Sequence, residues 1–195
     1  ETYFKIENYH EMPPFFMTIV SDVDFWLFVS STGGLTAGRK TPENALFPYI
    51  TDDKIHDSCE TTGPQTILMV SDGEKSYLWK PFSNHQANIY NITRNLYKNT
   101  IGNKIVFEEI NRDLKLTYRY TWKTSNTYGF IKSSELLNDS DKTIKVTILD
   151  GLRNLMPYGV DAMLQNSRST LVDGYKRSEL IENAGLGIFT LSSII

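Results

Sequence analysis

The ten residues LKLTYRYTWK (residues 114–123) alternate between apolar and polar side chains without interruption. Successive side chains of a β-strand point to opposite faces of its sheet, so this period of two predicts a strand with one buried and one solvated face. The face expected to be buried carries Leu114, Leu116, Tyr118, Tyr120 and Trp122. Because Trp122 shares this face with four other apolar residues, we expect it in the core.

Further strand patterns flank short turns. The segment QTILMVSDGEKSYLWKPF (residues 65–82) has two apolar runs around Asp72-Gly73, a dipeptide that readily adopts the positive φ angles of a tight hairpin turn. Similar pairs of runs occupy residues 13–31 and 103–120. Each of these three segments therefore predicts two antiparallel strands joined by a turn.

Two more strands are predicted nearer the C-terminus, in NTYGFIKSSELLN (residues 126–138) and KTIKVTILD (residues 142–150). In the second of them we expect Ile144, Val146 and Ile148 to face inward. Turn signals recur about every ten residues, which is the spacing expected of a sandwich or barrel.

One segment has a helical pattern. Its apolar residues fall near the spacing of one helix face, and they are Val160, Met163, Leu164, Leu171, Val172 and Tyr175. The sequence therefore predicts a mainly all-β protein, a large antiparallel β-sandwich of two stacked sheets with one short helix near residues 160–175. A chain of 195 residues suits one such domain, so we expect residues 1–195 to fold together.

The segment FWLFVS (residues 25–30) is apolar on both faces of the predicted strand. Trp26 and Phe28 lie opposite Phe25, Leu27 and Val29. A strand that is apolar on both faces is central in its sheet or is covered by something else. A partner domain could supply the second cover.

Composition and charge argue against several classes of function. The net charge is −3 and no run of Lys or Arg is present, which argues against nucleic-acid binding. No apolar run approaches the roughly 18 residues of a membrane span, so we expect no membrane insertion. Cys59 is the only cysteine, which excludes an internal disulfide and favours a reducing compartment such as the cytoplasm.

A long connection follows the strand at residues 25–30. Residues 30–60, SSTGGLTAGRKTPENALFPYITDDKIHDSCE, contain adjacent glycines, an Arg-Lys pair, two prolines and a cluster of acids. We interpret this stretch as irregular, belonging neither to an ordinary helix nor to an ordinary strand. Loops held by a rigid scaffold commonly carry binding residues.

Two groups of residues invite a catalytic or metal-binding interpretation. The cluster Asp52, Asp53, His56, Asp57, Cys59 and Glu60 offers metal-ligand types, but it lacks the spacing of a calcium loop and the second ligand pair of a zinc site. The histidines His10, His56 and His85 could serve acid–base chemistry of a mutarotase-like sugar epimerase, although their spacing selects none of them. We expect no metal, no cofactor and no catalytic residue in this chain.

Nucleophile and phosphate-binding motifs are absent, because the sequence has neither the Gly-x-Ser-x-Gly elbow nor the glycine-rich Walker spacing. Aromatic side chains offer an alternative, since they can stack on the apolar faces of sugars. A free-standing carbohydrate-binding module would use exposed aromatics such as Tyr49 or Trp79.

Several segments resemble one enzyme family. FWLFVSSTGGLTAGRKTPENALFPYITDD resembles the start of the N-terminal sandwich of cellobiose- and chitobiose-phosphorylase-type enzymes, in which a buried strand leads into a Gly-Gly turn and a long loop ending in an Asp pair. YGFIKSSELLNDSDKTIKVTILDGLRNLMPYGV and STLVDGYKRSEL are similar to later parts of that domain. The resemblance covers most of the chain.

This resemblance implies a supersandwich of the galactose-mutarotase type, joined to a C-terminal α/α toroid that holds the catalytic groups of a glycoside phosphorylase or hydrolase. The sandwich would support a homodimer and lend a loop to the rim of the carbohydrate site. The sequence begins without methionine and ends on an apolar run, so we expect a segment of a longer protein. As rim residues we predict Arg39, Lys40, Asn44, Tyr49, Asp52 and Asp53.

Overall fold

The computed structural model describes residues 1–86 and 88–192, apart from the side chains of Asp52 and Ala162. The fold is mostly β, and its strands are β1 (Tyr3–Glu7), β2 (Phe16–Ile19), β3 (Phe25–Ser30), β4 (Leu35–Arg39), β5 (Ala45–Phe47), β6 (Gly63–Ser71), β7 (Ser76–Trp79), β8 (Ile92–Asn99), β9 (Lys104–Asn111), β10 (Leu116–Ser125), β11 (Gly129–Asn138), β12 (Lys145–Arg153), β13 (Lys176–Ile181) and β14 (Leu186–Leu191). The helices in this part of the chain are α1 (Asp52–Ile55) and α2 (Ala162–Tyr175), with five short 3₁₀ turns.

All strand pairs in the described residues are antiparallel. The largest sheet has the order β1-β8-β9-β10-β11, a second has the order β2-β3-β4-β5, a third has the order β12-β6-β7, and β13 and β14 form a separate hairpin. The inner faces of the first three sheets share one apolar core. The five-stranded sheet therefore forms one layer, and the four- and three-stranded sheets together form the other. This arrangement confirms the predicted all-β sandwich, with the second layer divided in two.

The alternating segment that predicted the fold lies at the centre of the core. Tyr118, Tyr120 and Trp122 on β10 are all buried, and Trp122 meets Phe47 of the opposite layer edge to face, with ring centroids 6.4 Å apart. Burying side chains of this size removes a large apolar area from water, which is the main driving force for such a core. The prediction that Trp122 is a core residue is confirmed.

A buried ion pair fixes the core near β7. Glu109 accepts hydrogen bonds from Arg94 Nε at 2.7 Å, from Trp79 Nε1 at 2.8 Å and from the backbone N–H of Phe82 at 2.7 Å. Together these three hydrogen bonds satisfy the Glu109 carboxylate, which would otherwise be costly to bury. Trp79 is thus a buried structural residue, and the prediction that it is an exposed sugar-binding aromatic is wrong.

The three predicted strand pairs are confirmed as β2–β3, β6–β7 and β9–β10. Gly73 in the β6–β7 turn has a φ of +99°, a conformation that glycine adopts without strain. The predicted inward face of β12 is only partly covered, because this strand is at the edge of its sheet. Val146 packs against the core, and Ile148 lies on the same face opposite buried Leu68, as predicted, but it is 51% exposed and so not buried.

Residues 30–60 are more regular than predicted. They contain β4 and β5, which extend the β2–β3 sheet, and then α1 and a 3₁₀ turn at His56–Glu60. The end of this stretch folds back on the β3–β4 turn, where an added Cβ on Gly34 would lie 2.1 Å from the carbonyl oxygen of Ile55. The interpretation as one long irregular connection is therefore wrong, because strand pairing and close glycine packing incorporate most of it into the fold.

The predicted helix near residues 160–175 is confirmed as α2. Asp161 caps its first turn by accepting a hydrogen bond from the backbone N–H of Leu164 at 2.7 Å, and the helix is kinked at Arg168. Val172 of α2 packs with Met156 and Val160 in a second, small apolar cluster. The backbone N–H of Met156 also donates to the carbonyl of Leu46, which brings this cluster beside β5.

Candidate functional site

A cleft of about 650 Å³ lies where β4 ends, and we call it the Arg39 cleft. Three of the six predicted rim residues line it, namely Arg39, Lys40 and Asn44. Its other walls come from the β10–β11 turn and from residues 156–160. Half of the predicted set thus lies together at one exposed place.

Local backbone geometry positions these three side chains. Lys40 has a φ of +62°, which reverses the chain directly after β4, and its N–H donates to the carbonyl of Asp24 at 2.8 Å. Pro42 starts the following 3₁₀ turn, and Asn44 Nδ2 donates to Thr41 Oγ1 at 3.2 Å. A left-handed residue followed by a proline-initiated turn is a typical way to make a tight reversal between strands.

Arg39 lies over an aromatic wall. Its guanidinium carbon is 6.0 Å from the ring centroid of Phe25, a cation–π distance, and Phe25 meets Phe130 of β11 with centroids 5.3 Å apart. Gly129 beside this pair has a φ of +74°, a conformation that favours glycine. The exposed cation is therefore held on a fixed base and can contact carboxylate, phosphate or hydroxyl groups.

Tyr49 belongs to a different surface, on the outer face of the β2–β5 sheet. There Phe16, Phe28, Trp26 and Tyr49 follow one another with successive centroid distances of 5.4, 5.8 and 6.0 Å, and we call these four the aromatic row. Trp26 lies over Gly38, where a Cβ would be only 2.5 Å from its ring. The prediction that Trp26 and Phe28 face away from Leu27 and Val29 is confirmed, and their face is partly open.

The two predicted aspartates lie in α1. The side chain of Asp52 lies outside the described part of the chain. Asp53 is exposed, and a hydrogen bond with the Thr51 side chain lowers the pKa of its carboxyl. Asp53 does not line the Arg39 cleft. The predicted single rim of six residues is thus divided among a cleft, an aromatic row and a helix.

The residues considered for metal or acid–base chemistry have other environments. Ser30 Oγ lies 2.6 Å from His56 Nδ1, and Ser30 is fully buried, so this pair holds the 51–60 segment on the β3–β4 turn. Burial raises the pKa of the Cys59 thiol and thus disfavours the thiolate. Among the described residues no three His, Cys, Asp or Glu side chains are grouped so as to hold a metal ion.

The other two histidines line separate depressions of the surface. His10 lies beside Arg94 in a small depression, and burial lowers the pKa of its imidazole. His85 lines a cleft of about 330 Å³ that also contains Tyr120 and Arg153, and we call it the Tyr120 cleft. The pairing of histidines that an epimerase would need stays a prediction.

Sequence reasoning did not identify the Tyr120 cleft. Tyr120 has the alternation pattern of a core residue, and its ring is indeed in the core, while Arg153 carries no motif at all. The available signal was chemical, since a tyrosine on a buried face brings a hydroxyl that needs a partner.

Comparison with models of protein families and with curated proteins finds no match for this chain. In the part of the chain that the structure describes, no helix has the length and apolar character required to cross a bilayer.

Proposed function

We propose that this chain is a non-catalytic sandwich domain of a carbohydrate-active enzyme of the glycoside phosphorylase or hydrolase type. It supports dimerisation and presents residues 39–46 to the rim of an active site that a neighbouring α/α toroid of the same protein completes. The observation that carries the proposal is the convergence of Arg39, Lys40 and Asn44 on one exposed cleft. The resemblance of the sequence to the phosphorylase N-terminal domain supplies the enzyme class.

The chemistry of the Arg39 cleft suits binding better than bond cleavage. Arg39 and Lys40 supply donors for phosphate or sugar oxygens, and Tyr128 supplies an exposed ring. Among the described residues that line the cleft, Glu43 is the only acid, whereas glycoside cleavage ordinarily uses two carboxyl groups. A rim that orients substrate for a neighbouring domain fits this set of groups.

An open apolar face supports contact with a further domain or a second copy of the chain. On the outer face of the β12-β6-β7 sheet, Met69 pairs with Leu78, and Leu149 pairs with Ile67. Leu149 is 68% exposed, and Met69 and Leu78 are also exposed. Contiguous apolar side chains of this kind commonly mark an interaction surface.

The first experiment is an assay of the isolated chain. We expect no turnover of β-linked disaccharides, with or without inorganic phosphate, because the proposal places the catalytic groups elsewhere. Turnover by the isolated chain would contradict the proposal. The coding sequence downstream of Ile195 should encode a long helical region with paired carboxylates. A downstream region of any other type would also contradict the proposal.

A second experiment uses the complete enzyme. We expect Arg39→Gln and Lys40→Gln to raise KM several-fold while changing kcat less, since a rim contact contributes to binding of substrate and transition state alike. Lys75→Gln in the exposed β6–β7 turn is the matched control and should leave KM unchanged. If all three variants have the KM of the parent enzyme, residues 39–40 do not belong to the rim.

A free-standing carbohydrate-binding module is a second candidate, and the aromatic row favours it. Rings exposed on a flat sheet face can stack on the C–H faces of sugars, and Tyr49 and Phe16 are both exposed. This candidate expects glycan binding by the isolated chain that Trp26→Ala or Tyr49→Ala abolishes. Flat titrations across a broad glycan panel would exclude it.

A further inference from the structure

The Tyr120 cleft lies at a different place from the Arg39 cleft, above the inner face of β10. Its walls are the β3–β4 turn at Gly33, the 3₁₀ turn ending at Glu60, and the segment after β7 that contains Lys80 and Phe82. Its volume of about 330 Å³ is at the small end of ligand-binding cavities and corresponds to one compact ligand.

Tyr120 offers an unused hydroxyl to this cleft. The residue is 4% exposed, and its ring is fixed between Phe107, stacked at 4.8 Å, and Phe82, edge-on at 5.1 Å. Its hydroxyl makes no hydrogen bond to any described residue, whereas the hydroxyl of Tyr118, two residues earlier on the same face, contacts Thr66, Ser134 and Asp150. The Tyr120 hydroxyl does not belong to the buried unpaired groups of the described residues, so it is accessible from the cleft and can bond water or a ligand there.

The opposite wall is also incompletely paired. Arg153 donates through its Nη atoms to the carbonyls of Glu60 and Cys59, but its Nε is buried without a partner among the described residues. Among the described residues, neither the ammonium group of Lys80 nor the carboxylate of Glu60 makes a hydrogen bond or an ion pair, although both residues line the cleft. The cleft thus contains donors and acceptors that the protein leaves uncommitted.

The wall that carries Phe82 is held in a strained conformation. Phe82 has a φ of +64°, which is rare for an aromatic residue, and its N–H is held by Glu109 Oε2 at 2.7 Å. Glu109 in turn pairs with buried Arg94. Backbone strain that the surrounding structure enforces is concentrated at functional sites in proteins, so this wall is preorganised to face a ligand.

We propose that the Tyr120 cleft binds a single sugar ring. Such a ring combines apolar C–H faces with a polar edge, and the cleft offers the Phe82 ring together with hydroxyl, ammonium, carboxylate and amide groups. Nothing in the proposed rim function uses this site, so its failure would leave that proposal unaffected.

The test is a titration of the chain with glucose, galactose, mannose, N-acetylglucosamine and glucuronic acid, in which NMR chemical shifts report binding. We expect saturable binding of at least one sugar, weakened about tenfold or more by Tyr120→Phe. Because the Tyr120 hydroxyl has no protein partner, this variant should keep the melting temperature of the parent. Lys80→Gln, which removes a second uncommitted donor, should also weaken binding and is the independent variant should Tyr120→Phe fold poorly.

Two control variants assign the binding to this cleft. Tyr90→Phe should leave sugar affinity unchanged, since Tyr90 does not line this cleft and its hydroxyl donates to the carbonyl of Leu78. Tyr49→Ala removes a member of the aromatic row and should also leave affinity unchanged. The proposal is overturned by flat titrations with all five sugars, which would mean that the cleft holds only water. Binding that survives both Tyr120→Phe and Lys80→Gln, or that only Tyr49→Ala abolishes, overturns it as well.

Discussion

The hydroxyl of Tyr118 lies 2.6 Å from Oγ1 of Thr66 and joins the two layers of the sandwich. Tyr118 belongs to β10 and Thr66 to β6, so the contact crosses from the five-stranded to the three-stranded sheet. Asp150 of β12 accepts from Thr66 at 2.7 Å and from Lys132 of β11 at 2.7 Å. A polar cluster thus links the edges of both sheets where the apolar core ends.

Removal of the Tyr118 hydroxyl should destabilise the fold. We expect Tyr118→Phe to lower the free energy of unfolding by about 1–3 kcal/mol, because Thr66, Ser134 and Asp150 lose a partner in a mostly buried place. Urea denaturation measures the change. Tyr90→Phe is the control, because the Tyr90 hydroxyl makes one hydrogen bond near the surface and should contribute less. Equal losses for both variants would contradict a special role for the cluster.

The buried ion pair between Arg94 and Glu109 should be intolerant of one-sided change. We expect Glu109→Gln to cost about 3–5 kcal/mol, because Arg94 then keeps a buried charge without its counterion. Thermal and urea unfolding measure the loss. The control is Glu7→Gln, which breaks an exposed pair with Lys5 and should leave the unfolding midpoint unchanged. A midpoint for Glu109→Gln within error of the parent would contradict this account of the core.

Gly34 should resist substitution for reasons of space. An added Cβ would lie 2.1 Å from the carbonyl oxygen of Ile55 and 2.6 Å from Ser58 Oγ. We therefore expect Gly34→Ala to cost about 1–3 kcal/mol by forcing the 55–58 segment away from the β3–β4 turn. Gly151→Ala on β12 is the control, since no atom lies within 4 Å of its added Cβ. Similar denaturation midpoints for the two variants would contradict the close packing.

Stability should depend on Glu108 at acid pH. Burial by itself would raise the pKa of this carboxyl, but hydrogen bonds from Asn95, Arg119 and Tyr97 outweigh it and lower the pKa below its usual value. The stabilisation is therefore complete above the unfolded pKa of about 4.3 and is lost as the pH falls through the lower folded pKa.

The measurement compares the parent with Glu108→Gln from pH 7 to pH 2. The variant should be less stable at pH 7, and the difference should shrink below about pH 4 as the parent carboxylate takes up its proton. Glu74→Gln in the exposed β6–β7 turn should follow the parent at every pH. A difference that stays constant down to pH 2 would show that the Glu108 charge does not contribute.

Eight of the fourteen strands in the described residues were predicted from the sequence, because each of these eight leaves a local pattern. The alternation in residues 114–123 and the Asp72-Gly73 turn depend only on neighbours in the chain, and the structure confirms both. The 30–60 stretch was misinterpreted because β4 is buried on both faces and β5 has only three residues, so neither leaves a period-two signal.

The candidate sites were predicted only in part. Arg39, Lys40 and Asn44 lie within six residues of one another, so one loop was enough to bring them together. Tyr49 and Asp53 follow closely in sequence, yet the chain turns between them and carries them to other surfaces. Residues that are close in sequence are close in space only when they belong to the same loop.

By itself, the sequence determined the alternating faces of strands such as β10, their turns and the position of the short helix, because a period of two marks a strand and a period of 3.6 residues marks a helix. Only the tertiary structure decided which sides meet one another. It brings Arg153 onto the carbonyl of Glu60, 93 residues away, and it leaves the Tyr120 hydroxyl in a cleft while that of Tyr118 binds Asp150. Both tyrosines carry the same pattern in the sequence. They differ because strand register and layer packing, which depend on contacts across the whole chain, give each hydroxyl its surroundings.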